Sequence, residues 1–98
     1  MELARVDGTI VSTAKAEKLQ GSKLLLLNLI TPDLKPSNSF IVAIDAVGAG
    51  EGEIVLLVRG SSARQVEGLS TVPTDASVVG IVDTVEFRGE TVYRKVRT

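Results

Sequence analysis

Asp45-Ala46-Val47-Gly48-Ala49-Gly50-Glu51-Gly52-Glu53, followed by Ile54-Val55-Leu56-Leu57-Val58-Arg59 and then Gly60-Ser61-Ser62-Ala63-Arg64, is the stretch that decides the fold. Three glycines at alternate positions are incompatible with an ordinary strand or helix. Glycine is placed where the backbone needs positive φ or where another backbone comes close. The stretch therefore reads as a Gly-rich elbow, a buried strand and a second Gly-Ser elbow. It could hold a phosphate, hold a partner chain, or only turn a corner.

The pattern on either side is strand-like. Leu3–Thr13 alternates, with Ala4, Val6, Gly8 and Ile10 assigned to one face and Arg5, Asp7 and Thr9 to the other. Gly8 in its middle suggests a bulge or barrel bend. Lys15–Ser22 is polar and reads as a loop. Leu24–Ile30 is a continuous apolar run bounded by breakers, which favours a strand buried on both faces. Thr31–Ser39, with Pro32 and Pro36, reads as an exposed loop. Phe40–Ala46 is a third strand and Glu53–Arg59 a fourth. Ser62-Ala63-Arg64-Gln65 has the form of a capping box, so a helix of one or two turns is expected over Ser62–Glu67, ending at Gly68. Val78–Phe87 and Glu90–Val96 complete the set, with Arg88-Gly89 as a hairpin turn. The expected fold is mainly β: a small five- to six-stranded OB-like barrel with one short helix, in a single domain over residues 1–98.

Composition narrows the function. Hydrophobic residues make up 44% of the chain but aromatics only 3%, so the apolar content is Val, Leu, Ile and Ala. That suits sheet interiors and dry interfaces, and it exceeds what so small a core can use, which points to a homo-oligomer. The net charge of −1, with Lys and Arg spread thinly, gives no footprint for nucleic acid. With no cysteine and no histidine, disulfides, Cys/His zinc sites, thiol nucleophiles and imidazole bases are excluded. No stretch approaches the roughly 20 apolar residues of a membrane helix, and no leader is visible. A soluble intracellular protein is the expectation.

The motifs that could carry chemistry read as structural. Gly48-x-Gly50-x-Gly52 superficially resembles a dinucleotide fingerprint. That motif needs a helix after it, whereas a strand follows here, and Glu51 and Glu53 would repel phosphate. Gly60-Ser61-Ser62-Ala63-Arg64 could bind an anion at a helix N-terminus, but neither serine has an activating base. Asp7, Asp45, Asp75 and Asp83 are scattered; a catalytic carboxylate pair is the weaker reading beside strand ends and caps. An OB-type single-stranded nucleic-acid binder is the alternative function, and the lack of aromatics and of a basic face argues against it.

Taken together, Asp45–Glu53, Val55-Leu56, Gly60–Arg64, Pro73-Thr74-Asp75 and Ile81-Val82-Asp83 closely resemble the EutN/CcmL family, the pentameric vertex proteins of bacterial microcompartment shells. Gly8–Thr13 and Lys23–Leu26 fit the family's opening strands. The resemblance implies an OB-like barrel in a cyclic homopentamer. It would be a structural part without cofactor, metal or catalytic residues, at a vertex of a cytoplasmic polyhedral shell such as a carboxysome. Hexameric shell proteins, and trimeric ones beyond them, would be its partners, with neither nucleic acid nor membrane. On this reading the elbow Gly48, Ala49, Gly50, Gly52 and Glu53 is a shell-contact edge. Leu25 and Leu27 are expected between subunits, and Gly60, Ser61, Ser62, Arg64 and Asp75 near a subunit boundary or the central opening.

Overall fold

The structure, a computed structural model, describes residues 1–12, 23–60 and 75–96. Among the described residues seven strands follow one another: β1 (Glu2–Ile10), β2 (Leu24–Ile30), β3 (Pro36–Asp45), β4 (Ile54–Arg59), β5 (Ala76–Ile81), β6 (Thr84–Phe87) and β7 (Glu90–Arg94). The first five close into a barrel in the order β1-β2-β3-β5-β4, and β6 and β7 form a separate hairpin. All barrel pairings are antiparallel except β3 with β5, which is parallel and short. The five-stranded OB-like barrel expected from the sequence is present. The short helix expected over Ser62–Glu67 lies outside the described residues.

Aliphatic alternation fills the barrel. Ala4, Val6, Leu25, Leu27, Ala43, Val55, Leu57, Ala76 and Val78 point inward and are at most 1% exposed. Full burial of a Leu or Val side chain stabilises by about 1.5–3 kcal/mol, so these positions are the main source of stability. The small residues Ala4, Ala43 and Ala76 sit among the leucines, as a narrow barrel requires.

Three expectations about β1 to β3 change in detail. Asp7 is an extra residue between Val6, opposite Leu27, and Gly8, opposite Leu26. This bulge moves the rest of β1 to the other face, so Ile10 pairs with outward Leu24 instead of joining Ala4 and Val6 inside. β2 is not buried on both faces: Leu25 and Leu27 are sealed inside while Leu24 and Leu26 are half-buried on the outside. The loop expected over Thr31–Ser39 is shorter, because β3 begins at Pro36.

The early start of β3 has a local cause. Between Asn28, opposite Phe40, and Ile30, opposite Pro36, β3 bulges, with three residues set against one on β2. The Asn28 side-chain amide, 1% exposed, donates to the Ser37 carbonyl at 2.9 Å and the Ser39 carbonyl at 3.2 Å. The Ser37 hydroxyl donates to the Leu29 carbonyl at 2.6 Å. The bulge is thus hydrogen-bonded rather than loose, and Pro36 costs no ladder bond at its end.

The expected long strand Val78–Phe87 is two strands. It breaks at Val82 and Asp83, where the Val82 amide donates to Ile54 (2.9 Å) and finishes the barrel. The Arg88-Gly89 turn falls where expected, with φ of +54° and +81°. Positive φ at both central residues is the type I′ geometry that matches strand twist. The Arg88 guanidinium lies 4.8 Å from the centroid of the Phe87 ring.

Candidate contact site: the glycine elbow and its anchors

The elbow between β3 and β4 is organised by two carboxylates. Asp45 ends β3, and its side chain is 1% exposed. Its Oδ1 accepts the amides of Val47 and Gly48, each at 3.0 Å. Such Asx geometry turns the chain away from the sheet, and Gly48 supplies the positive φ of +79° that the turn requires. The Lys23 ammonium lies 3.6 Å from Asp45 Oδ2 and donates to the Ala49 carbonyl at 2.8 Å. Ala49 itself is fully buried and belongs to the core. The elbow is therefore fastened over the end of the barrel at its middle.

Its second half is a tight turn. The Glu53 amide donates to the Gly50 carbonyl at 3.2 Å, and Gly52 has φ +86°. Positive φ at the third residue of such a turn favours glycine. The Gly52 amide donates to Val6 (2.8 Å) and the Val6 amide to Glu53 (2.9 Å), so the turn extends the β1 ladder.

Gly50 has a different reason to be glycine. Its amide donates to Glu53 Oε1 at 2.5 Å, and a Cβ on Gly50 would stand 3.2 Å from that oxygen. Glu53 Oε2 in turn lies 2.5 Å from the Lys95 ammonium. The Lys95 hydrogen bond, then the Gly50 amide, hold the Glu53 carboxyl below its ordinary value. The same contact raises Lys95.

The two elbows of the opening stretch do not form one site. The six residues of β4 separate them, roughly 20 Å at strand rise. At the far end Gly60, with φ +67°, donates its amide to the Asp75 carbonyl at 2.7 Å, and Arg59 pairs with Ala76. Close by, Arg59 holds Glu2 through Nε at 2.6 Å and Nη2 at 3.1 Å. Ser61, Ser62 and Arg64 lie outside the described residues.

Leu25 and Leu27, expected between subunits, are spent inside the barrel, both 0% exposed. The side chains that β2 offers outward are Leu24 and Leu26. Register places Leu24 opposite Ile44 and Leu26 opposite Val42, which is 44% exposed, while Phe40, 58% exposed, lies opposite Asn28 one step further along the same face. Lys23 and Lys95 were not singled out from sequence. Asp45 with a glycine three residues on is an Asx-turn signal that points to its role, but Lys95 carries no local signal because its partner is in another part of the chain.

Among the described residues no group of three or more His, Cys, Asp or Glu is placed to hold a metal ion. Among them, too, no helix is long and apolar enough to cross a membrane.

Comparison with known proteins agrees with this architecture. Residues 1–83 match the family described as ethanolamine utilisation protein EutN/carboxysome. The bacterial microcompartment shell vertex protein GrpN of Rhodospirillum rubrum is 55% identical over 86 residues, covering 88% of this chain and 97% of the relative. Its solved structure, a pentameric microcompartment shell protein, superposes with a TM-score of 0.81 at 54% identity, covering 89% of this chain and 99% of that one. The shell vertex protein EutN of Escherichia coli is 47% identical over 95 residues, 97% of this chain and 100% of the relative. The structure of Gloeobacter violaceus CcmL gives a TM-score of 0.91 at 47% identity, with 97% and 98% covered. On the barrel, the elbow and these likenesses together, the chain belongs to the EutN/CcmL family.

Proposed function

We propose that this chain is a non-enzymatic shell protein that forms a cyclic homopentamer and caps the vertices of a polyhedral bacterial microcompartment in the cytoplasm. The observation that carries this reading is the likeness to the pentameric shell protein GrpN along 89% of the chain. Hexameric, and beyond them trimeric, shell proteins are its partners. A flat layer of hexagonal tiles cannot close, and five-fold units at the corners supply the curvature.

The barrel surface supports a ring. A cyclic assembly is heterologous: one patch meets a different patch on the next subunit. Leu24, Leu26, Phe40 and Val42 make an apolar strip on the outside of β2 and β3. In the strand order β4 lies across the barrel from the β2–β3 boundary, two strands away in either direction. Its outward Leu56 pairs with Leu3 on one side and Gly80 on the other, forming a second apolar strip. Two strips on opposite sides suit a head-to-tail ring. The elbow Gly48–Glu53 is the edge offered to neighbouring shell tiles. Gly60 and Asp75 belong to the subunit boundary or the central opening.

Native mass spectrometry tests the ring: a dominant species at five times the 10.3 kDa chain is expected. Mixing with a hexameric shell protein should then give closed particles by electron microscopy. Exposed Glu51 is a cleaner probe of the elbow than Gly50, whose substitution would disturb Glu53. Glu51→Trp should impair closure and leave the pentamer intact. A monomer that shifts on adding single-stranded oligonucleotide would overturn the reading. The aromatics give that alternative no platform: Phe40 lies on β3, whereas Phe87 and Tyr93 lie on the hairpin.

A further inference from the structure

The family match ends at Asp83, and the hairpin β6–β7 with Lys95 follows it. A two-stranded hairpin is marginal by itself. This one is tied back at its exit: the Lys95 amide donates to the Asp83 carbonyl at 2.7 Å, closing the hairpin's base, and the Lys95 ammonium reaches Glu53 at 2.5 Å. Glu53 spends its other oxygen on the Gly50 amide. One carboxylate thus couples the hairpin's last turn to the elbow. We infer that Lys95 is a positioning residue for the elbow: by holding Glu53 in the rotamer that accepts the Gly50 amide, the C-terminal hairpin sets the shape of the Gly50–Glu53 turn.

Three observations support the coupling. The close approach of Glu53 Oε1 to Gly50 leaves no comfortable room for a Cβ, so the turn is shaped around that carboxylate. The Glu53 side chain is 21% exposed and that of Lys95 32%, so the pair is partly shielded from water and salt. The other charged or titratable groups acting on the pair are Lys23, which reinforces Glu53, and Asp83 and Tyr93, which reinforce Lys95. No like charge opposes it among these. The inference extends the proposed function, since it makes the hairpin that follows residues 1–83 a determinant of the shell-contact edge; the coupling itself is independent of that reading.

The test is amide hydrogen exchange by NMR on the full-length chain and on Lys95→Met, Lys95→Arg and Glu53→Gln. A partly exposed ion pair predicts that Lys95→Met speeds exchange at Gly50 by about two- to fivefold. Val55 and Leu57 in the barrel should keep their rates, and Lys95→Arg should retain protection. Raising salt should accelerate Gly50 exchange in the unmodified chain and leave Lys95→Met unchanged. Unchanged Gly50 exchange in Lys95→Met, with loss of protection in Glu53→Gln, would overturn the inference, because Glu53 would then hold the turn unaided. A uniform acceleration across the barrel would also overturn it, as a loss of global stability. If Gly50 is deprotected while shells close normally, the coupling stands and the elbow's assignment as shell contact fails.

Discussion

Asp45→Ala removes the residue on which the first half of the elbow hangs, and Asp45→Asn removes only its charge. In the unaltered chain Oδ1 accepts two amides at 3.0 Å, and Oδ2 faces Lys23 at 3.6 Å. Hydrogen bonds to a charged group contribute about 1.5–3 kcal/mol each. Val47 and Gly48 are exposed, so water recovers part of that on truncation. The Lys23 side chain is 50% exposed, which holds the ion pair to less than about 1 kcal/mol. The sum for Asp45→Ala is about 2–4 kcal/mol. Asparagine can still accept both amides through its carbonyl oxygen, so Asp45→Asn should cost about 1 kcal/mol. Urea unfolding at fixed protein concentration measures both, since association makes the midpoint concentration-dependent. An Asp45→Ala variant within about 0.5 kcal/mol of the parent would refute the anchoring role. Equal losses for Ala and Asn would instead assign the effect to the charge alone.

Other positions yield sharper contrasts. Leu27→Ala, inside the barrel, should cost about 2–5 kcal/mol in urea unfolding, and outward Leu26→Ala much less, with its effect appearing in the pentamer fraction by native mass spectrometry. Leu34 has φ +65° in the β2–β3 turn, where its amide donates to Thr31 at 2.8 Å. A left-handed conformation costs a non-glycine residue roughly 1–2 kcal/mol, offset in part by glycine's chain entropy. Leu34→Gly should therefore stabilise the chain by roughly 0.5–1 kcal/mol on this balance, read as a higher urea midpoint. The Glu53–Lys95 contact sets a pH window. Glu53 is depressed below its ordinary 4.5, so its contribution is full above that value and lost as pH falls through the folded value. Lys95 is raised above 10.5, so its contribution is full below that and lost as pH rises through the folded value. The stability difference between the parent and Lys95→Met should be flat at neutral pH and shrink at both extremes.

Most of the barrel was legible because period-two aliphatic alternation is a local signal. Ala4 and Val6, with Arg5 and Asp7 between and after them, declare an inward face in the sequence itself. What escaped was register. One inserted residue, Asp7, sends Ile10 outward, and no feature of Gly8-Thr9-Ile10 says which side of the bulge it occupies. The run of four leucines hid the same problem: without alternation, inward Leu25 and Leu27 could not be told from outward Leu24 and Leu26. The elbow was visible through its glycines, yet the two glycines with positive φ and the one crowded by Glu53 look alike in sequence. Lys95 was invisible because its partner is set by the fold.

On the proposed head-to-tail ring, the same outward residues decide whether the chain closes on itself. A strip on β2–β3 that met its own copy would give a two-fold dimer and stop. Placing the complementary strip on β4, across the barrel, forces each subunit to hand one face forward and the other back. The rotation per step then sets the ring size. This predicts a specific pattern for charge substitution. Val42→Lys alone and Leu56→Glu alone should each deplete the pentamer, because each buries an unpaired charge. The double variant carries both changes in one chain. It brings the introduced ammonium of one subunit toward the introduced carboxylate of the next at every interface. It should recover part of the pentamer in low salt and lose it again in high salt. Mixing the two single variants should also recover pairs, because unlike neighbours meet through Lys and Glu or through the unaltered Val and Leu, but a five-membered ring cannot alternate throughout and keeps a junction between like variants. A double variant no more pentameric than either single one would show that the strips do not face each other.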